Sequence, residues 1–386
     1  IGYTRINSIG VSTNTEYGSP LSRAINMDPI TPVVEMDPAK YGLPKYLNNP
    51  VVRNEAGFPY GISDYAQSEV LNPVAALQVA QGNSWSDKVV GNAFVEVEFL
   101  KGLKLRSTGG VDLAFWGGQS FRPIYYLNSI NQSTLTAFTR DSNRGLFWSL
   151  ENTLSYDKTI GKHVITALVG YSAQKNKGET NGGIKEGIPV DNIRDASLQF
   201  PVARTNSDFY GGEYQNTLNS IFGRIIYNYD EKYLFTGIVR RDGSSRFGPN
   251  NKYGYFPSGA FAWKMHEEDF VGDSVSTLKL RLSAGVTGNQ AGLGHANYLF
   301  RQRFGGPGIS DDGTINRPGL VTVSVQNPDL SWERLTDYNL GLDFGFNNDR
   351  LNGSIDFYRK ETRDLLFLSP AAAPADPFFR CLVVTV

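Results

Sequence analysis

The chain has 386 residues with 37 basic and 38 acidic side chains, a balance that excludes the basic footprint of a nucleic-acid binder. One cysteine, Cys381, excludes an intrachain disulfide, and the three histidines, His163, His266 and His295, lie too far apart for metal-ligand spacing. With charged residues at 19%, aromatics at 12% and 41 glycines, the composition is that of a turn-rich, aromatic-rich β protein.

Period-two alternation predicts about ten strands in chain order. They run over 88–100, 103–116, 144–158, 163–175, 214–229, 232–242, 254–265, 278–287, 338–347 and 351–358. In 278–287, Leu278, Leu280, Leu282, Ala284 and Val286 share one face; Lys279, Arg281, Ser283, Gly285 and Thr287 share the other. Most of these strands match the roughly 9–11 residues of a membrane strand, whereas soluble strands average about five or six. No apolar run approaches the roughly 18 residues of a membrane helix.

The links alternate in length. Lys101-Gly102, Thr159 to Lys162, Asp230-Glu231 and Asn347 to Arg350 are short, and "MHEEDFVGDS" (265–274) has room for one helical turn. Between them lie the long links 117–143, 176–213, 243–253 and 288–332. Aromatics gather beside the short links: Phe99, Tyr156, Tyr227, Tyr229, Tyr233, Trp263, Phe344 and Phe346. Short turns on one side, long loops on the other and an interfacial girdle predict an all-β, antiparallel transmembrane barrel. Alternation alone also fits a soluble sandwich. Strand length, loop asymmetry and a polar face bearing Arg224, Lys279, Arg281, Asp343 and Asp356 favour the barrel, the polar face meeting either a wet lumen or a plug.

Four stretches carry a family resemblance: "SPLSRAINMDPITPVV" (19–34), "YNYDEKYLFTGIVRRDGSSRFGPNNKYGYFPSGAFAW" (227–263), "LKLRLSAGVTGNQ" (278–290) and "NPDLSWERLTDYNLGLDFGFNNDRLNGSIDFYRKETRDLL" (327–366). Together they resemble the SusC/RagA-type TonB-dependent outer-membrane transporters. The resemblance implies a 22-stranded class of barrel plugged by an N-terminal domain. It also implies active import of large nutrients, oligosaccharides or peptides, under a SusD-like surface lipoprotein and with energy supplied by the TonB complex. The barrel would sit in the outer-membrane lipid of a Gram-negative bacterium. Residues 1–374 are accordingly read as a partial barrel domain without plug or TonB box. The tail "ADPFFRCLVVTV" (375–386) departs from the pattern, and a frameshift or misjoined end is expected near Ala375. A passive porin and a soluble β-rich carbohydrate-binding module are the alternatives.

Candidate sites are few. The turn Arg241, Asp242, Gly243, Ser244, Ser245, Arg246, Phe247 and Gly248 reads as a register-fixing extracellular turn rather than an anion nest or calcium loop. Arg241 has the apolar parity of Tyr233, Phe235 and Val239, which leaves lipid-phosphate pairing and simple snorkelling open. Trp116, Phe121, Tyr125, Tyr126, Tyr298 and Phe300 are the candidate aromatic contacts to ligand or lid, with loop packing against the barrel rim as the other reading of the same rings. Glu267, Glu268 and Asp269, beside His266, read as a solvated turn and not as an acid/base pair. No nucleophile elbow, Ser-His-Asp order or phosphate loop occurs, so no catalytic residue, metal or cofactor is expected.

Overall fold

The computed structural model describes the chain apart from residues 12–17, 66–69, 204–206, 273, 292–302, 309–316, 325–326, 370–381 and 386. Its strands are β1 (Gly2–Ile9), β2 (Gln81–Leu100), β3 (Leu103–Arg122), β4 (Tyr125–Tyr126), β5 (Gln132–Ser133), β6 (Ala137–Ile160), β7 (His163–Glu186), β8 (Ser207–Tyr229) and β9 (Tyr233–Ser244). β10 (Tyr253–Lys264), β11 (Val275–Asn289), β12 (Arg303–Gly308), β13 (Arg317–Ser324), β14 (Glu333–Phe346), β15 (Leu351–Arg363), β16 (Leu366–Ser369) and β17 (Leu382–Thr385) follow. Eleven strands form one sheet in the order β1-β2-β3-β6-β7-β8-β9-β10-β11-β14-β15. The pairs β4–β5, β12–β13 and β16–β17 are separate.

All ten predicted strands are present, and several extend well into the long links. β1 was not predicted. It pairs antiparallel with β2, Gly2 opposite Val90 and Ile9 opposite Asn83. Its sequence, GYTRINSI, shifts its apolar residues from one parity to the other, so alternation gives no signal. The predicted helical turn in 265–274 is a single 3-10 turn, Met265–Glu267.

The short turns depend on left-handed backbone. Asp230 and Glu231 both have positive φ, as do Asn347, Asn348 and Asp349, and Gly102 lies at φ 84°. Two consecutive left-handed residues match the twist of a tight hairpin. The Lys162 ammonium pairs with Asp230 at 2.6 Å across neighbouring turns, and the Asp230 N–H donates to the Lys162 carbonyl at 2.8 Å.

Contacts divide the chain into two units. The first comprises 1–90, 112–145 and 178–213. It holds four short helices, α1 (Pro20–Asn26), α2 (Pro38–Tyr41), α3 (Pro44–Leu47) and α4 (Pro73–Val79). Each begins with proline, whose fixed φ and missing N–H suit the first helical position. Ser19, Asp37 and Asn72 cap three of them through their side chains. One core gathers Tyr60, Leu71, Ala75, Ala76 and Leu127, and another Phe121, Phe138 and Ile188.

The second unit comprises 91–111, 146–177 and 214–386. Its strands bury little of their apolar face: Ile225 is 52% exposed, Phe235 47% and Val239 58%. In water such a face would be a large unpartnered apolar surface, so its natural solvent is hydrocarbon. The opposite face is charged. The Arg281 guanidinium donates to Asp343 through Nε and Nη2 at 2.8–3.1 Å and to Asp356 at 3.2 Å.

Candidate functional site

Three of the four resembling stretches meet at the long-loop end of β8–β14. Their centre is Trp332, whose ring lies 5.0 Å from Phe247 and 5.3 Å from Phe256. Leu330 and Leu366 complete this buried cluster, with Leu218 packed against it. The Trp332 indole N–H donates to the Lys252 carbonyl at 3.3 Å.

Polar ties surround the core. Ser244, fully buried, donates its hydroxyl to Gln290 and accepts from the Arg246 N–H at 3.1 Å. Arg246 Nη1 donates to the Gln290 carbonyl at 3.0 Å, and burial pulls its guanidinium below its ordinary pKa. Thr217 and Ser245 bond reciprocally: the Thr217 N–H donates to Ser245 Oγ at 2.8 Å and the Ser245 N–H to the Thr217 carbonyl at 3.0 Å. Asn250 and Asn251 both donate to Asp329 at 2.7 Å.

Asp242 is not free to bind a cation. Its carboxylate accepts from Arg240 Nε at 2.7 and 2.8 Å, while Arg240 Nη2 donates to Ser220 at 2.8 Å. A Cβ on Gly243 would lie 2.4 Å from Asn219 Oδ1 and 2.5 Å from the Tyr253 ring, so a larger residue there would have to displace these two side chains. Among the described residues no group of three metal-ligating side chains forms. The expected turn over 241–248 is corrected at its start: Arg241 to Ser244 finish β9, paired with β8 and β10, and only the residues from Ser245 onward turn. The segment is fastened to Thr217, Gln290 and Trp332.

At the short-turn end, Tyr229, Tyr233 and Trp263 form a row across β8, β9 and β10 with ring spacings of 6.2 and 6.1 Å. Glu268 ties this row together, a role that sequence reasoning missed. Its carboxylate accepts from Tyr233 Oη at 2.7 Å, Trp263 Nε1 at 3.1 Å and Lys232 Nζ at 3.2 Å. The hydrogen bonds from Tyr233 and Trp263 hold the Glu268 carboxyl below the ordinary glutamate value of 4.5. A lowered folded-state pKa gives stability that is present above the ordinary value and lost as pH falls through the lowered one. Glu268→Gln is therefore expected to flatten the acid limb of a stability–pH profile. Thermal unfolding of the full-length protein at several acidic pH values checks this; an unchanged limb refutes it.

The predicted aromatic contacts do not form one platform. Trp116 lies on β3 with the parity of Asp112, packed over Gly145. Phe121 is only 2% exposed and sits in a core with Phe138 and Ile188, so its ring serves packing and the expected ligand contact is corrected. Tyr125 and Tyr126 form the short pairing with Ser133 and Gln132, and Tyr126 also bridges to Val51. Tyr298 and Phe300 lie outside the described residues, as does most of the 375–386 tail.

Residues 41–380 match the family described as "TonB dependent receptor-like, beta-barrel". The chain belongs to this family. Its barrels lie in the outer membrane of Gram-negative bacteria, which makes the long-loop end extracellular and the exposed apolar face the lipid face. TonB-dependent receptor P3 of Formosa agariphila is 33% identical over 306 residues, covering 78% of this chain and 30% of that protein. TonB-dependent receptor SusC of Bacteroides thetaiotaomicron is 31% identical over 372 residues, 92% of this chain and 35% of that one. Among solved structures, the RagAB peptide transporter superposes with a TM-score of 0.71 at 27% identity, over 84% of this chain and 35% of its own. The chain thus spans only 30% to 35% of these relatives. The family is one of receptors and transporters, not an enzyme class.

Proposed function

We propose that this chain is barrel wall from an energised outer-membrane importer of oligosaccharides or peptides. In that reading a SusD-like surface lipoprotein closes over the long-loop end, and the TonB complex drives opening from the inner side through a plug. The observation that carries it is the convergence of residues 241–248, Gln290 and Leu330–Trp332 in one rim clasp, in a chain similar to SusC and to the RagAB peptide transporter. Such a clasp holds the extracellular loops of several hairpins in register, as a binding surface under a lid needs. Trp116, Tyr125 and Tyr126 are the aromatic residues we carry forward as ligand or lid contacts, because stacking on sugar or peptide groups needs such rings.

The test is genetic and biochemical. Deleting the parent gene is expected to abolish growth on one class of oligosaccharide or peptide as sole nutrient. Loss of TonB is expected to have the same effect, and the tagged transporter to co-purify with a surface lipoprotein. Uptake that persists without TonB would make the barrel a passive pore and overturn the reading.

A further inference from the structure

We propose that the lipid face of β9 and β10 seats one phosphate-bearing lipid of the outer leaflet, its phosphate on Arg241 and an acyl chain in the hollow over Gly237 and Gly259. The inference rests on the outer-membrane location of the barrel and not on its cargo.

Arg241 differs from its neighbour. The Arg240 guanidinium, on the polar face, is occupied by Asp242 and Ser220. Arg241, on the apolar face, has no carboxylate partner among the described residues. Its guanidinium lies 3.8 Å from the ring centre of Tyr253 and 5.9 Å from that of Tyr255. Its Nε is buried without a hydrogen-bond partner. A cation stacked over Tyr253 and near Tyr255 at the extracellular edge of a lipid face, with no carboxylate to neutralise it, attracts an anion, and phosphate is an anion that a guanidinium pairs with strongly.

The hollow is the second observation. A groove of about 860 Å³ crosses the apolar face from Leu103 on β3 to Tyr338 on β14, and on β9 and β10 it passes over Gly237, Val239, Pro257 and Gly259, just inward of Arg241. Gly237 pairs with Gly259, which pairs with Ala284, so three small residues lie side by side on adjacent strands. Nothing within the fold requires glycine at the first two. A Cβ on Gly259 would meet nothing nearer than 3.8 Å, and one on Gly237 nothing nearer than 3.4 Å. Neither has positive φ. Glycine weakens a strand interior and marks places where an outside group comes close.

Depth connects the two. Arg241 pairs with Tyr255, four residues along each strand from the Gly237–Gly259 pair. At about 3.4 Å per residue that is roughly 14 Å along the strand, or about 10 Å of depth for a strand tilted by about 45°. Half of a hydrocarbon core about 30 Å thick is roughly 15 Å. A lipid with its phosphate at Arg241 would therefore lay its chain along Val239 and Pro257 into the hollow, within one leaflet.

The experiment uses the full-length transporter, extracted in mild detergent, delipidated and titrated with bisphosphorylated lipid A under native mass spectrometry. One tightly retained lipid is expected. Arg241→Ala is expected to weaken retention about tenfold, the loss of a charge-assisted hydrogen bond. Dephosphorylated lipid A should bind the wild-type protein as weakly as the intact lipid binds that variant. Gly259→Val, which the backbone accommodates, should weaken retention while leaving heat-modifiable gel mobility unchanged. Retention unaltered by Arg241→Ala overturns the proposal. Retention unaltered by Gly259→Val, or full displacement of the lipid by inorganic phosphate, reduces the site to a headgroup contact and overturns the acyl seat.

Discussion

Replacing Trp332 with alanine is expected to destabilise the outer rim by about 3–5 kcal/mol, the range for deleting a large buried aromatic side chain. Trp332 is 4% exposed and touches Phe247 from the 241–248 segment and Phe256 from β10. Its removal leaves a cavity lined by rings held on separate segments, none of which can close it alone. The Lys252 carbonyl also loses the indole donor. Thermal unfolding of the full-length protein gives the magnitude. Protease sensitivity at 243–253 in intact cells gives the location, because a loosened clasp frees that loop. A variant with wild-type melting and an uncleaved loop would show that the rim does not depend on this core.

A pair of lysine substitutions tests the assignment of faces. Ile225 and Ile226 are consecutive in β8. Ile225 pairs with Gly237 on the lipid face, and Ile226 pairs with Thr236 on the polar face. A lysine near the bilayer midplane on the lipid face of a barrel costs about 2–4 kcal/mol, whereas lumenal substitutions are tolerated. Ile225→Lys should therefore reduce assembled barrel sharply and Ile226→Lys should not, as read by heat-modifiable mobility in outer-membrane fractions. Equal effects would mean that both faces are wet or both are packed.

Much of this architecture was legible because a membrane strand leaves a strict signature. One face meets hydrocarbon, so Leu278, Leu280 and Leu282 must alternate with Lys279 and Arg281. The short turns were legible through their flanks, although Asp230 and Glu231 in left-handed geometry carry no strong turn composition of their own. β1 was not legible, since an exposed strand with Tyr3 and Ile6 in opposite phase shows no period. The rim clasp was half legible: its segments stood out as motifs, but nothing local says that Gln290 meets Ser244 or that Trp332 meets Phe247. Such contacts join residues 46 and 85 positions apart, which periodicity cannot reach. Phe121 stayed open between ligand and packing because an aromatic residue near a loop looks the same in sequence whether it serves a ligand or a core.

Sheet order governs how the barrel wall can assemble. Every hydrogen-bonded neighbour within the eleven-stranded sheet is the next sheet strand along the chain. Such a sheet can grow hairpin by hairpin during synthesis and insertion, each loop closing before the next strand arrives. The clasp cannot, because the segment 243–247 waits for Gln290 and then for Trp332. Its closure is a late event that requires three hairpins already in register. A register error in any of them would leave Phe247 and Trp332 apart, so the clasp serves as a checkpoint on the fidelity of assembly.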